Sequence, residues 1–305
     1  MTRQPSTTPL RYRVPWKKIA IYAMAIIVGI YILAPFTWLI ITSLMVEVET
    51  LEIPPHWIPH NPTLQNYRAF FDPEFRGLEM QRGTMAYSGG SVQRMRPALR
   101  NSAVVAFSVA ILNLTIGSMA AYSLARLRFR GSRPLLVFYL GSRMLPAVSI
   151  IIPMYMILRR LGILDNVLSL IISYTTLTLP FSIWILKSYF QTIPRDLEDA
   201  ARVDRCNWLN MMIRVFLPVA APGLVAAGIF SFLISWKDFL FALMFTATDA
   251  SKTIPVVVAE FVGPGQTPRT LMATGGVLAV IPPLILALIF QRLIVQGLVA
   301  GAVKG

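Results

Sequence analysis

The side chains that carry most covalent chemistry are scarce in this chain. Only two histidines, His56 and His60, and one cysteine, Cys206, occur among 305 residues. An intramembrane serine protease needs a buried Ser/His pair, but both histidines fall in one loop after the first long apolar run. His-Glu-x-x-His is absent, no Cys/His cluster with zinc spacing is legible, and a lone cysteine closes no intrachain disulfide. The expectation is therefore no catalytic residue and no metal site. Gly-x-x-x-x-Gly-Lys-Ser/Thr is also absent, so no loop here cradles nucleotide phosphates. If the chain does active work, its energy comes from another subunit.

The charged residues that remain are concentrated. The stretch IPRDLEDAARVDRCNWLNMMIRVFLPVAAPGL, Ile193 to Leu224, carries four acids and four bases. A helix through Leu197-Glu198-Asp199-Ala200-Ala201 would present Leu197, Ala200 and Ala201 on one side, with Glu198, Asp199 and Arg202 elsewhere. Small alanines allow close approach to a partner's groove. A second helix, Asn207 to Phe216, bears Trp208, Leu209, Met211, Met212, Val215 and Phe216 and suits the membrane surface. The competing reading is a solvated, charged loop. Two further charged sites adjoin apolar runs: Arg143, and the group Trp236, Lys237 and Asp238.

Composition dictates what must position these residues. The chain is 55% hydrophobic and 14% charged, with a mean hydropathy of +0.62, whereas soluble domains carry roughly 25% charged residues. A helix crosses about 30 Å of hydrocarbon with about 20 apolar residues. Five charge-free runs meet that length: Ile19 to Val46, Asn101 to Ala125, Asn166 to Leu186, Val215 to Trp236 and Thr270 to Gln291. A sixth, Pro134 to Leu158, admits Arg143. The expected fold is an all-α membrane protein of six spans. These lie near 19–45, 101–125, 134–158, 166–186, 217–245 and 270–291, within a domain 19–295 flanked by tails 1–18 and 296–305, with an outer loop 46–100. The first run exceeds the roughly 7–15 residues of a signal-peptide core and reads as a retained anchor.

Six spans place both termini on one side. With those termini cytosolic, 16 bases and 4 acids lie inside against 11 bases and 10 acids outside, with Arg143 within a span. That asymmetry obeys the positive-inside rule. It also accounts for the net charge of +14 without nucleic acid, since the bases form short clusters between apolar runs.

On these residues the chain resembles the inner-membrane permeases of ABC importers, whose cytosolic signature runs Glu-Ala-Ala, then Asp-Gly, then Leu-Pro. Asp199-Ala200-Ala201, Asp204 and Leu217-Pro218 take those places, with Asp199 for Glu and Arg205 for Gly. The likeness is closest to the carbohydrate-uptake branch, in the type of the maltose transporter's smaller membrane subunit, and covers nearly the whole chain. Asn66-Tyr67, Asn101-Ser102, AAYSLARLRFRG at Ala120 to Gly131, Ser142 to Pro146, SWKDFLFAL at Ser235 to Leu243 and the ending GLVAGAVKG agree with it in order.

The resemblance implies a type I importer fold whose coupling segment, 193–216, docks into an ATPase subunit through Glu198, Asp199, Ala200, Ala201, Asp204 and Arg205. It implies a second permease, two ATPase subunits that hold ATP and magnesium, an extracytoplasmic solute-binding protein, surrounding lipid, and location in a bacterial or archaeal inner membrane. A tail contact through Gly301, Lys304 and Gly305 is a further expectation. Gly is expected where Arg205 stands because a left-handed turn residue costs a non-Gly residue on the order of 1 kcal/mol. Arg143 reads either as a cavity residue or as an interior Arg bonded to carbonyls freed by Pro146. Trp236, Lys237 and Asp238 read either as sugar-contacting or as interfacial. A self-contained secondary transporter or channel is the competing function, although Asp238, just beyond the fifth run, falls near an outer face. An intramembrane enzyme ranks third.

Overall fold

A computed structural model describes residues 16–72, 90–127, 129–262 and 268–302. The regular structure among these residues is helical, without strands. Helix α1 is Trp16–Ser43 and α2 is Gln65–Phe71. They are followed by α3 Met95–Arg126, α4 Ser132–Gly141, α5 Ala147–Arg160 and α6 Val167–Thr192. Then come α7 Arg195–Val203, α8 Trp208–Val219, α9 Ala221–Lys237, α10 Leu240–Phe245, α11 Ile254–Ala259 and α12 Arg269–Ala302.

Four helices, α1, α3, α6 and α12, are each long and apolar enough to cross a membrane. Among the described residues, counting each of two bent pairs as one span brings the number to six. The third expected span is not one rod: Ser132–Met144 and α5 meet at 98°. Leu145, at ψ 130°, precedes Pro146, whose ring disfavours a helical residue before it. The fifth expected span breaks twice. Helices α8 and α9 meet at 85° around Ala220, and α9 stops at Asp238, which is extended at ψ 129°.

Helices α3, α6 and α9 form the centre of the bundle. Their contacts are built from small and hydroxylated residues, which bring backbones close where lipid offers no hydrophobic drive. Asn113 of α3, fully buried, donates to Thr178 of α6 at 2.5 Å and to Ser231 of α9 at 2.9 Å. Ser182 meets Ser231 at 3.0 Å. Gly223 is required by its neighbour: a Cβ there would lie 2.4 Å from the ring of Tyr189. Helix α1 packs along α12 and leaves Ile21, Ile30 and Tyr31 at 66%, 65% and 81% exposure, a surface that only lipid or another apolar subunit can cover.

Polar side chains fasten the end of the bundle remote from α7. Asn66 donates to the Ser43 and Met45 carbonyls, and Asn101 to those of Ala250 and Lys252. Ser102 accepts from Ile254 N. These residues of the family-like patterns thus hold loops to helix ends. Glu47 accepts from Arg269 N, Thr270 N and the Thr270 hydroxyl, a carboxylate on the first turn of α12, where the free N–H groups favour negative charge.

Asp165, at φ 54°, accepts from Ala247 N, Thr248 N and the Ser251 hydroxyl, clamping the loop after α10 to the start of α6. Burial alone would raise its carboxyl, but these hydrogen bonds outweigh it and hold the group well below the usual carboxylate range. A folded-state pKa below the unfolded value of about 3.9 stabilises fully at neutral pH and is lost as pH falls below about 4. Asp165→Asn keeps a side chain tolerant of positive φ while removing the charge. Thermal unfolding in detergent should therefore show the variant less stable than wild type at pH 7, with the gap closing toward pH 3.

Candidate coupling site and pathway residues

Helix α7 is short, and its own hydrogen bonds would not hold it in water. Its inner side fixes it instead. Glu198, 7% exposed, accepts from Tyr122 Oη at 3.2 Å and Arg202 at 2.7 Å, and faces Arg126 Nε at 3.5 Å. Glu198 in turn raises the pKa of Arg202 through that hydrogen bond. Arg126, itself buried, also donates to the Ile193 carbonyl at 2.5 Å and lies 5.1 Å from the Phe216 ring centroid. One α3 residue thereby holds the chain at Ile193, α7 and α8 together. Ala201 packs into the same core as Tyr122, Phe190, Met212 and Phe216.

This corrects the face expected from the sequence. Ala201 does not share an outward side with Leu197 and Ala200; it is 6% exposed and points into its own chain together with Glu198. The outward ridge is Asp196, Asp199, Ala200 and Val203, spaced three and four apart, with Leu197, Asp204 and Arg205 also exposed. Periodicity marked the amphipathic helix but could not say which of its two sides the chain covers itself. Tyr122 and Arg126 complete the inner side. In the sequence Tyr122 falls in a family-like pattern and Arg126 in a basic cluster, and no spacing there pairs either with Glu198.

The turn after α7 keeps its form despite Arg205. Cys206 N bonds the Ala201 carbonyl at 2.9 Å and Arg205 N the Arg202 carbonyl at 3.0 Å, the paired bonds of a helix end closed by a left-handed residue. Arg205 is that residue, at φ 56°. Asn207 then accepts from Asn210 N and starts α8. Because glycine adopts this conformation without the Cβ clash, Arg205→Gly should raise stability by about 1 kcal/mol, read as a higher melting temperature at unchanged inner contacts. Beside α7, Arg126, Phe129, Arg130 and Arg195 line a basic depression of about 460 Å³.

The remaining sites divide. Arg143 sits in the turn between α4 and α5, donates to the Leu177 carbonyl at 2.5 Å and lies 5.7 Å from the Phe230 ring centroid. The carbonyl it caps therefore belongs to α6, three residues before Pro180, and is not one freed by Pro146. Trp236 is not available to a solute: it is 4% exposed, stacks on Phe232 and donates Nε1 to the Ala279 carbonyl of α12 at 2.9 Å. Its large ring fills the space between α9 and α12, a packing role rather than the sugar-stacking one. Asp238 accepts from Tyr174 Oη and Phe241 N, both at 2.9 Å, and starts α10, while Lys237 is exposed. Gly301 lies within α12; Lys304 and Gly305 lie outside the described residues. The loop after α1 also brings Glu52, His56 and His60 together.

A helical bundle with bent spans, and a short charged helix pinned to one end, has known counterparts. Residues 98–299 match the model of the binding-protein-dependent transport system inner membrane component family. The chain belongs to that family. It is 36% identical over 273 residues to the sulfoquinovosyl glycerol transport system permease protein SmoH of Agrobacterium fabrum, covering 90% of this chain and 89% of that one. It is 34% identical over 291 residues to the trehalose/maltose transport system permease protein MalG of Thermococcus litoralis, covering 95% and 98%. Its fold matches a solved bacterial ABC transporter involved in the import of the acidic polysaccharide alginate, at a TM-score of 0.73 and 19% identity, over 93% of this chain and 99% of that one. As a member, it is a multi-pass membrane permease that works with a solute-binding protein and an ATPase.

Proposed function

We propose that this chain is the permease subunit of an ATP-driven importer for a sugar or sugar-like solute, and that it forms half of a pathway shared with a second, homologous permease. The observation that carries the coupling role is α7: its inner side is locked to α3 by Glu198, Arg126 and Tyr122, while Asp196, Asp199, Ala200 and Val203 stand free. Both termini and α7 lie on the cytosolic side, where the bases concentrate. Two ATPase subunits, which hold ATP and magnesium, dock there, with the tail at Gly301, Lys304 and Gly305 as a second contact. A binding protein delivers solute at the other face. Sugar specificity is supported by relatives named for sulfoquinovosyl glycerol, trehalose and maltose.

In this reading closure of the ATPase pair displaces α7. Arg126 passes that displacement to α3, and the polar contacts at Asn113 carry it to α6 and α9 as one body. The bent pairs are where such a bundle changes the face to which its cavity opens. The permease itself makes and breaks no covalent bond.

The test is reconstitution of the complex in proteoliposomes, with the cognate binding protein screened against a panel of mono- and disaccharides. ATP-dependent uptake of the sugar that protein binds is the expected result. Uptake that persists without the ATPase subunits, driven by an ion gradient, would establish the secondary-transporter reading instead.

A further inference from the structure

The loop between α1 and α2 gathers ligating groups to which the proposed coupling assigns no role. Thr63 N bonds the Leu44 carbonyl at 2.8 Å, closing the segment into a compact loop whose tip carries Glu52, His56 and His60. Glu52 Oε2 lies 2.9 Å from His56 Nε2, and the two imidazole centroids are 4.4 Å apart. One ligating atom from each of the three lies within 4.8 Å of the other two. Tetrahedral ligands about 2.0–2.1 Å from an ion sit about 3.4 Å from one another, so side-chain adjustments of about 1 Å complete the geometry.

A second carboxylate supports the first three groups. Buried Glu49 accepts from His60 N at 2.6 Å and holds its oxygen 3.8 Å from His60 Nδ1, fixing the backbone that presents the imidazole. The side chains of His56, Glu52 and His60 remain 30%, 48% and 61% exposed, so an ion enters from solvent without opening the bundle.

We propose that Glu52, His56 and His60 bind one divalent transition-metal ion, zinc by its donor set. Two imidazoles and a carboxylate match the mixed nitrogen and oxygen preference of zinc, nickel and copper, whereas calcium and magnesium call for oxygen alone. The fourth position falls to water or Glu49. Within the same tip Trp57 meets Trp38 of α1 edge to face at 4.9 Å, so an ion between His56 and His60 immobilises the residue that joins the loop to the first span. The sequence carries the signal as Glu-x-x-x-His-x-x-x-His, a pattern neither zinc-protease nor Cys/His spacing would find.

The experiment uses the full chain, purified through a tag free of histidine and placed in nanodiscs, titrated with zinc chloride by calorimetry and with cobalt chloride by visible absorption. One ion per chain is expected, together with a tetrahedral cobalt band. His56→Ala/His60→Ala should weaken binding on the order of 100-fold and abolish the band, and Glu52→Gln should weaken it about tenfold. Trp57→Phe should retain the calorimetric signal but lose the zinc-induced fluorescence change. Absence of saturable binding, or equal binding by the double-histidine variant, overturns the proposal. Because the isolated permease is measured, the outcome does not depend on which solute is carried or whether an ATPase docks.

Discussion

Glu198→Ala is expected to uncouple the permease. The substitution removes the carboxylate that Tyr122, Arg126 and Arg202 share and leaves the buried Arg126 guanidinium without a counter-charge. Breaking one partner of a buried pair costs about 3–5 kcal/mol, enough to shift the docked position of α7 against its detached states more than a hundredfold. In proteoliposomes, ATP-driven uptake should fall by at least that order while ATP hydrolysis loses its dependence on the loaded binding protein. Glu198→Gln, which keeps the Tyr122 hydrogen bond and the side-chain volume, should retain intermediate activity. Replacing both partners, Glu198→Met with Arg126→Met, should recover stability relative to Glu198→Ala, since no charge is then left stranded. Wild-type uptake with binding-protein-stimulated hydrolysis in Glu198→Ala would sink this account of how α7 is held.

Some of this was legible in the amino acids and some was not, and the division has a physical basis. Length and apolarity are one-dimensional, so the runs around α1, α3, α6 and α12 could be read directly. Bends are local only in part: Pro146 announces the break between α4 and α5, and Pro222 marks a helix start just after Ala220, but neither sets the 98° and 85° angles at which the helices meet. Which side of an amphipathic helix is covered by its own chain depends on residues far away. Tyr122 lies 76 residues from Glu198, and no spacing rule links them. Trp236 shows the same limit, because an aromatic residue near a membrane end serves equally as core, anchor or ligand contact until Phe232 and Ala279 are seen around it. Arg205 shows the reverse case: the turn demanded a left-handed residue, the sequence placed Arg there, and the backbone adopts φ 56° regardless.

The outward ridge of α7 supplies the second large effect, and it separates docking from folding. Val203 is 81% exposed, and Asp199 and Ala200 are exposed beside it, so substitutions there leave the inner contacts of Glu198 and Ala201 untouched. Val203→Asp places a charge where a partner's groove must desolvate it. Recovery of the ATPase with detergent-solubilised permease should fall at least tenfold, about 1.4 kcal/mol, while the melting temperature of the permease alone stays within error. Ala201→Leu should do the opposite. Its added methylenes meet Met212, Phe216 and the rest of the inner core, so the permease itself loses about 1–3 kcal/mol before any partner is present. Measuring complex yield and melting temperature for both variants assigns each face of α7. If Val203→Asp assembles as wild type does, or if Ala201→Leu loses the ATPase at unchanged stability, the faces are reversed, and the partner's groove must instead reach the side that Glu198 now anchors to α3.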